Sequence, residues 1–318
     1  MQMPVEISAI RAAHERIRKY IKQTPVMTSS RLDEIAGASL FFKCENFQEI
    51  GAFKARGATN AVFALDELTA SRGVVTHSSG NHGAALARAA KLRRIPAHIV
   101  MPSNSAKVKT RAVERLGGQI ILCEPNEASR EALCAEVIGK TGATLIHPFE
   151  NEDVIAGQGT AVIELLEEVN ADLVMCPVGG GGLLAGTAVA AKSLRPQIHV
   201  IAAEPDNADD AAQSFRAGRR LVTEKRFTIA DGLRTNVGEK TFPIIRRYVD
   251  DVVTVSEQSI VAAMRAIWET MKIIIEPSAA LPYAAIREGK IDISGKRVGI
   301  ILTGGNVDLD ALPWNVGS

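Results

Sequence analysis

Short runs of apolar, β-branched residues alternate with longer stretches of helical periodicity along most of the chain. Runs at residues 172–178 and 297–303 have the length and composition of buried strands. Stretches at residues 154–169 and 259–273 carry apolar side chains three and four positions apart, which is the spacing of one helix face. Regular alternation of this kind is typical of parallel α/β units, so the sequence predicts an α/β fold.

Four regular strand–helix units between about residues 73 and 147 form a compact group within this pattern. The flanking segments continue the alternation, and no linker rich in Gly, Ser or Pro marks the crossings. We therefore predict two domains, each with a parallel sheet between helices. The small one covers residues 70–148, and the large one is made of residues 1–69 and 149–318.

The charge balance argues against polyanionic partners. Among 318 residues, 37 Lys and Arg stand against 36 Asp and Glu, which gives a formal net charge of +1. Without a basic run the chain offers no electrostatic surface for nucleic acid or an anionic membrane. No apolar stretch is long enough to span a bilayer, and the N-terminal residues lack the apolar core of a signal peptide. We expect a cytoplasmic protein with neither nucleic acid nor membrane as a partner.

The four cysteines are scattered and form no C-x-x-C pair. Each has apolar neighbours, among which a reduced thiol packs as a small hydrophobic side chain. Neither a disulfide framework nor a zinc site is expected from Cys44, Cys123, Cys134 and Cys176.

Four consecutive glycines, Gly179, Gly180, Gly181 and Gly182, come directly after an apolar strand and directly before a helix. A run of glycine is costly in backbone entropy, so it is expected where bare N–H groups must touch a ligand. The positive end of the helix dipole makes such a loop suitable for a phosphate. A merely flexible turn is the alternative.

The same loop also fits the dinucleotide-binding pattern G-x-G-x-x-G/A. Glu204 follows roughly 20 residues later at the end of the next strand, where a ribose-binding acid would stand. A Rossmann dehydrogenase is therefore an alternative. This interpretation, however, requires the dinucleotide-binding motif to lie in the middle of the chain, and it leaves three other unusual segments unexplained.

Those three segments place polar side chains at strand ends and helix starts. Residues 43–58 put Lys54 in the first turn of a helix, where the dipole and partial burial favour the neutral amine needed for Schiff-base chemistry. Residues 76–83, T-H-S-S-G-N-H-G, bring hydroxyl, amide and N–H groups together as a carboxylate would require. Residues 301–308 end a strand in a hydroxyl residue and two glycines. Taken alone, each segment is also compatible with a surface lysine, a helix cap or a turn.

Taken together and in this order, the segments resemble the fold-type II pyridoxal-phosphate enzymes, specifically the serine racemase and serine/threonine dehydratase group. The resemblance covers essentially the whole chain and implies the tryptophan synthase β-like fold, with the cofactor in the cleft between the domains. It implies a Schiff base between pyridoxal phosphate and Lys54 and a phosphate held by Gly179 to Gly182. It also places the cofactor 3′-oxygen near Asn81, the pyridine nitrogen on the Thr303 hydroxyl, and Phe53 beside the ring.

The resemblance further implies how the substrate is handled. A neutral hydroxyl at the pyridine nitrogen leaves the cofactor a weaker electron sink, which favours elimination of a β-leaving group. Lys54 would remove the α-proton on one face of a small amino-acid substrate, and Ser79 matches the serine that is the second acid/base of racemases. Ser78, Ser79, Asn81 and His82 would bind the substrate carboxylate. Racemisation therefore stays open beside dehydration.

The family also has a divalent cation site that this chain matches at residues 204–210. Its ligands would be the carboxylates of Glu204 and Asp210, the carbonyl of Ala208, and waters. Hard oxygen ligands suit Mg²⁺, Ca²⁺ or Mn²⁺. This match turns Glu204 from a ribose ligand into a metal ligand, although two carboxylates in a loop are more often only solvated charges.

The substrate rests on fewer residues. The triplet Ala52-Phe53-Lys54 and the C-terminal G-G-N-V-D-L-D-x-L-P-W resemble the 3-hydroxyaspartate dehydratases. Arg234 and Arg130 are candidates for a second substrate carboxylate, although either could be a surface residue. The resemblance thus favours an ammonia-lyase that converts threo-3-hydroxyaspartate to oxaloacetate, with L-serine and L-threonine next and a serine or aspartate racemase as the alternative. It also suggests a homodimer.

Overall fold

A computed structural model describes residues 3–105, 107–224 and 227–314. Its larger sheet has the strand order β1-β2-β10-β7-β8-β9. All neighbouring strands are parallel except β1, which pairs antiparallel with β2. These strands are β1 Val26–Met27, β2 Ser39–Cys44, β7 Leu173–Pro177, β8 His199–Pro205, β9 Asp251–Val255 and β10 Arg297–Leu302.

The smaller sheet is parallel throughout and has the order β5-β4-β3-β6. Its strands fall inside the predicted small domain at residues 70–148, and the division into two domains itself stays a prediction. They are β3 Val74–His77, β4 Ala97–Pro102, β5 Gln119–Cys123 and β6 Thr144–Leu145.

Helices cover both faces of the larger sheet because side chains alternate along its strands. On β7, Val174 and Cys176 pack with helices α1, α8 and α9, whereas Leu173 and Met175 pack on the opposite face with α12 and α13. The thirteen helices among the described residues are α1 Ile7–Ile17, α2 Ser30–Ala36, α3 Lys54–Ala64, α4 Glu67–Ser71, α5 Asn81–Arg93, α6 Lys107–Arg115, α7 Glu127–Thr141, α8 Glu152–Glu168, α9 Gly182–Leu194, α10 Asp210–Ala217, α11 Thr241–Tyr248, α12 Glu257–Met271 and α13 Pro277–Arg287.

The alternation in the sequence predicts the remaining elements but not β1, α2, α4, α10, α11 or α13. Strand β1 has two residues, and the first four of these helices have five to eight, too few for a clear periodic pattern. Helix α13 is longer but contains Pro282, which reads as a helix breaker in the sequence.

Helix α3 lies between the two sheets. Its C-terminal part places Ala61 and Val62 in the core of the smaller sheet, while its first half packs against α8 of the larger one. Lys54 is therefore the first residue of a helix that packs with elements of both sheets. No helix in the described part of the chain is long and apolar enough to cross a membrane.

Candidate active site

Lys54 is the first residue of α3, and its side chain is half-buried. Its Nζ donates a hydrogen bond to the carbonyl oxygen of Pro148 at 2.9 Å. Burial lowers the pKa of Lys54 from 10.5 to about 8, against the attraction of Glu276, which raises it. The lowered pKa gives this amine a substantial neutral fraction near pH 8, which is the form a nucleophile or base requires.

The C-terminal end of β10 lies directly beside the residue that precedes Lys54. The backbone N–H of Phe53 donates to the carbonyl of Thr303 at 2.9 Å, and Ala52 forms an isolated bridge with Gly304. The side chain of Thr303 is buried, and its hydroxyl has no hydrogen-bond partner among the described residues. An unpartnered buried hydroxyl is costly unless a ligand pairs with it.

Asn81 is joined to the same strand end through two further polar side chains. Its Nδ2 donates to both carboxylate oxygens of Glu276, at 3.0 and 3.1 Å, and its Oδ1 accepts from Nδ2 of Asn306 at 2.8 Å. Burial and repulsion from Asp231 raise the pKa of Glu276 to about 7, although the Asn81 hydrogen bond lowers it. These contacts fix the orientation of the Asn81 amide.

The tetraglycine loop packs against the segment that binds Lys54. A Cβ atom on Gly180 would lie 2.2 Å from the Phe149 ring, so a side chain is excluded there. Gly181 has a φ of +88° and precedes α9 without any side-chain cap, so the first N–H groups of that helix are left for another acceptor. The Gly180 carbonyl is held from behind by Oγ1 of Thr241 at 2.7 Å.

Residues 78–80 connect β3 to α5, and Asn81 and His82 open that helix. Ser78 and Ser79 are half-buried, and Ser78 Oγ accepts from the N–H of Gly80 at 3.2 Å. His82 is buried, with Nε2 3.0 Å from the Ile146 carbonyl. Burial and the Lys54 charge hold the pKa of His82 well below its ordinary value, so its ring is neutral with the proton on Nε2. Nδ1 is then an acceptor without a partner in the described chain.

These features fit pyridoxal phosphate. The uncapped start of α9 can accept a phosphate, the unpartnered Thr303 hydroxyl can pair with a ring nitrogen, and Lys54 has the lowered pKa of a Schiff-base lysine. Phe53, Lys54, Asn81 and Thr303 are brought together by the contacts above, and Phe149 links Gly180 and Gly182 to them.

Glu204 and Asp210 are buried at the end of β8 and the start of α10. The Glu204 carboxylate accepts from the N–H groups of Ala211 and Ala212, and Asp210 accepts from Val237. Burial and repulsion from Asp210 raise the pKa of Glu204 well above its ordinary value, and burial raises that of Asp210 to about 6. No group of three or more His, Cys, Asp or Glu side chains in the described residues could hold a metal, so Ala208 and waters would have to complete the site.

The two arginines predicted for the substrate stand in different surroundings. Arg234 is exposed, and its guanidinium donates twice to the Thr228 carbonyl, at 2.9 and 2.6 Å. It lines a cavity of about 10 Å³ together with Ala208 and Asp210. Arg130 is half-buried, and its Nε has no partner within the described ranges. It lies one turn after Glu127, whose charge acts on His147 near Lys54.

Three residues of the site were missed by sequence reasoning. Glu276 stands directly before Pro277 at the start of α13, and Pro148 and Phe149 follow β6. An acid before a proline that opens a helix is a recognisable start signal, but it says nothing about Asn81, which is 195 positions away. For Pro148 the sequence offers no signal, because its carbonyl rather than its side chain contacts Lys54.

Comparisons with known proteins agree with this geometry. A family model described as pyridoxal-phosphate dependent enzyme matches residues 17–304. A beta-hydroxyaspartate dehydratase from Paracoccus denitrificans is 50% identical over 305 residues, covering 96% of this chain and 97% of the relative. A serine racemase from Arabidopsis thaliana is 50% identical over 316 residues, covering 98% and 95%. The structure of maize serine racemase superposes with a TM-score of 0.95 at 48% identity, covering 98% and 96%.

Proposed function

Because this chain belongs to the family of pyridoxal-phosphate dependent enzymes, we propose that it is an ammonia-lyase acting on a β-hydroxy-α-amino acid. The reaction removes water and, after hydrolysis, releases a keto acid and ammonia. The predicted fold-type II architecture and the predicted relationship to serine racemases and dehydratases are both confirmed. Sequence similarity does not separate the two activities, since a dehydratase and a racemase are each 50% identical to this chain.

The Thr303 hydroxyl is the observation that carries the choice of elimination. When bound, pyridoxal phosphate supplies an electron sink for the substrate α-carbon, and a neutral hydroxyl at its ring nitrogen leaves that sink weaker than a carboxylate would. Expulsion of a β-hydroxyl group is then favoured over prolonged negative charge at the α-carbon. Thr303 Oγ1 is buried and lacks any other partner in the described structure, which supports this role.

Lys54 and Ser79 would handle the protons. Lys54 Nζ, neutral above about pH 8, would take the α-proton on one face. A neighbouring hydroxyl would give a proton to the departing β-hydroxyl group, which leaves as water, and the Lys54 ammonium would return its proton to that hydroxyl. Ser78, Ser79, Asn81 and His82 would hold the substrate carboxylate at the start of α5, which has no side-chain cap and whose first N–H groups can bind an anion. Ser79 on the opposite face would return a proton there, which is why an amino-acid racemase is the second candidate.

The preferred substrate is threo-3-hydroxyaspartate, which would yield oxaloacetate, followed by L-serine and L-threonine. This choice is supported by the dehydratase relative and needs a cation for the distal carboxylate. Arg130 is the stronger candidate, since its Nε is unpartnered among the described residues, whereas Arg234 is engaged with Thr228. A divalent cation on Glu204, Ala208 and Asp210 and a homodimer complete the proposal.

Cofactor and reaction class are tested together on the purified protein. The protein should be yellow and should lose this absorbance on borohydride reduction, which should fix the cofactor covalently to Lys54. Lys54→Ala should abolish turnover while the fold survives. A colourless protein, or borohydride reduction that fixes the cofactor to a residue other than Lys54, would contradict the proposed cofactor chemistry. A yellow protein that turns over no β-hydroxy-α-amino acid would contradict the proposed reaction.

A substrate panel then separates dehydratase from racemase. Threo-3-hydroxyaspartate, L-serine and L-threonine are scored for keto acid and for the enantiomer of the remaining amino acid. Arg130→Ala should lower kcat/KM for 3-hydroxyaspartate by about 10- to 100-fold, the loss of a charge-assisted hydrogen bond, and leave L-serine nearly unchanged. Arg265→Ala, which removes an exposed arginine paired with Glu269, is the matched control. Equal losses for all substrates, or mainly D-enantiomer as product, would overturn this choice.

A further inference from the structure

Arg56 lies two residues after Lys54 and is completely buried. Its guanidinium donates to Glu45 at 2.7 and 2.8 Å and to Glu164 at 2.7 Å from each of two nitrogens. Lys43, also buried, pairs with Glu164 at 2.7 Å and donates to the Thr24 carbonyl at 2.6 Å. Two cations and two anions thus form a closed network beneath the first turn of α3.

A buried network of this kind contributes little net stability. The free energy needed to remove four charges from water can exceed the attraction between them, and apolar residues of similar volume often stabilise a core as well or better. The guanidinium instead supplies geometry, because its planar fork binds two carboxylates in fixed directions. Glu45 follows β2 and Glu164 belongs to α8, so Arg56 fixes α3 relative to both elements.

A second set of contacts fixes the same turn from the side. Helix α3 has no side-chain cap of its own, but the N–H of Gly57 donates to Oε1 of Gln158 at 3.1 Å. A Cβ atom on Gly157 would lie 2.6 Å from the Cα of Gly57, so the backbones of α3 and α8 are in direct contact. The first turn of α3 therefore has little freedom to rotate or slide.

Lys54 leaves this turn on the side opposite to Arg56. Residues two apart in an α-helix are separated by about 200° around its axis. Lys54 accordingly reaches Pro148 while Arg56 reaches into the core. Any rotation of the turn would carry Lys54 Nζ with it, and a displacement of about 1 Å at a reacting group can cost on the order of 100-fold in rate.

We propose that Arg56, Glu45, Glu164 and Lys43 are positioning residues that hold the first turn of α3 so that Lys54 Nζ stands where it meets cofactor and substrate. The network carries no net charge, so it acts through geometry rather than by a field at the amine. This inference rests on the proposed role of Lys54 as the lysine that bonds the cofactor.

The test uses Arg56→Lys and Glu164→Gln, which keep hydrogen-bonding groups but lose the double fork. In the holoenzyme, kcat should fall by about 10- to 100-fold, while KM and cofactor affinity change less than about threefold. Ile267→Ala in α12 is the matched control, since it opens a cavity in a different part of the core. A control with a similar loss of Tm should keep its kcat.

A second measurement uses the cofactor-free protein. Acylation of Lys54 followed by mass spectrometry against pH should have a midpoint near pH 8 in the unaltered protein. In Arg56→Lys the midpoint should move up towards the ordinary lysine value, because a loosened turn admits water to the amine. Glu164→Gln should raise the midpoint as well, and Glu164→Asp, which keeps a carboxylate, should raise it less.

Two results would overturn the inference. The first is a kcat within twofold of the unaltered enzyme in both variants. The second is a set of changes in kcat, KM and Tm that match those of the Ile267→Ala control, together with an acylation midpoint that does not move. Failure of the proposed function looks different, because borohydride would then label a residue other than Lys54 or nothing at all.

Discussion

Two pairs of buried carboxylates receive opposite treatment in this fold. Glu45 and Glu164 share Arg56, and hydrogen bonds from that guanidinium outweigh burial and hold the pKa of Glu164 below its ordinary value. Glu204 and Asp210 accept only backbone N–H groups, and no lysine or arginine of the described chain forms an ion pair with them. Their pKa values are raised instead, mainly by burial.

The two pairs differ in whether the protein itself supplies their counter-charges. Glu45 and Glu164 are neutralised by Arg56 and Lys43, as expected of residues whose role is to hold structure in place. Glu204 and Asp210 have no such ion pair in the described chain, so burial disfavours their ionised forms, and a bound divalent cation would relieve this. Glu276 is a third case, since it is buried and accepts hydrogen bonds from the Asn81 amide and the backbone N–H of Asn306 but forms no ion pair in the described part of the chain.

The largest effect is expected when the first pair is made to resemble the second. Arg56→Ala leaves two buried carboxylates uncompensated and should lower the free energy of unfolding by about 3–5 kcal/mol, measured by denaturant titration. Arg265→Ala, which breaks an exposed pair with Glu269, is the control and should cost at most about 0.5 kcal/mol. Equal effects of the two variants would contradict the comparison.

Glu276 provides a pH-dependent version of the same test. Its pKa is raised from 4.5 to about 7, so the folded state binds a proton that the unfolded state has already lost. Stability is therefore lost as pH rises from about 4.5 to 7, by roughly 3 kcal/mol for a shift of this size. In the cofactor-free protein, Tm of Glu276→Gln should lack this fall. Parallel Tm curves of the unaltered protein and Glu276→Gln between pH 4.5 and 7 would show that Glu276 gains a counter-charge that its contacts do not reveal.

Glu164 should act in the opposite sense. Its pKa is lowered, so the stability that it contributes is present above its ordinary pKa and is lost as the pH falls through the lowered value. Glu164→Gln should therefore lack this loss of Tm on the acidic side.

The sequence predicts these regions unequally. Alternating periodicity locates most strands and helices because each element records its own burial pattern locally. The segment at residues 43–58 contains Lys43, Glu45 and Arg56 beside Lys54 and so displays three parts of the network. Glu164, the partner that Lys43 and Arg56 share, lies 108 positions from Arg56, and nothing local marks it.

The candidate site shows the same limit. Lys54, Asn81, the glycine loop and Thr303 stand out because glycine runs and polar strand ends have local physical causes. Glu276 and the Pro148 carbonyl act only through long-range contacts, so they emerge only from the structure. The sequence predicts Arg234 as a substrate ligand because it is an arginine in an unusual segment. The orientation of its guanidinium, however, is set by the hydrogen bond to the Thr228 carbonyl, and nothing in the sequence indicates that bond.

The smallest expected effect concerns the second acid pair itself. If a divalent cation binds Glu204, Asp210 and the Ala208 carbonyl, Mg²⁺, Ca²⁺ or Mn²⁺ at 100 times its Kd should add about 2.7 kcal/mol to the free energy of unfolding, and chelator should remove it. Asp210→Asn should abolish the response and, without cation, be no less stable than the unaltered protein, because it removes a buried charge that forms no ion pair in the described chain. Asp172→Asn, which alters a half-exposed pair with Arg297, is the control that should retain the response. A cation response that survives in Asp210→Asn would place the ion elsewhere, and the absence of any response would leave Glu204 and Asp210 as an uncompensated pair of buried acids.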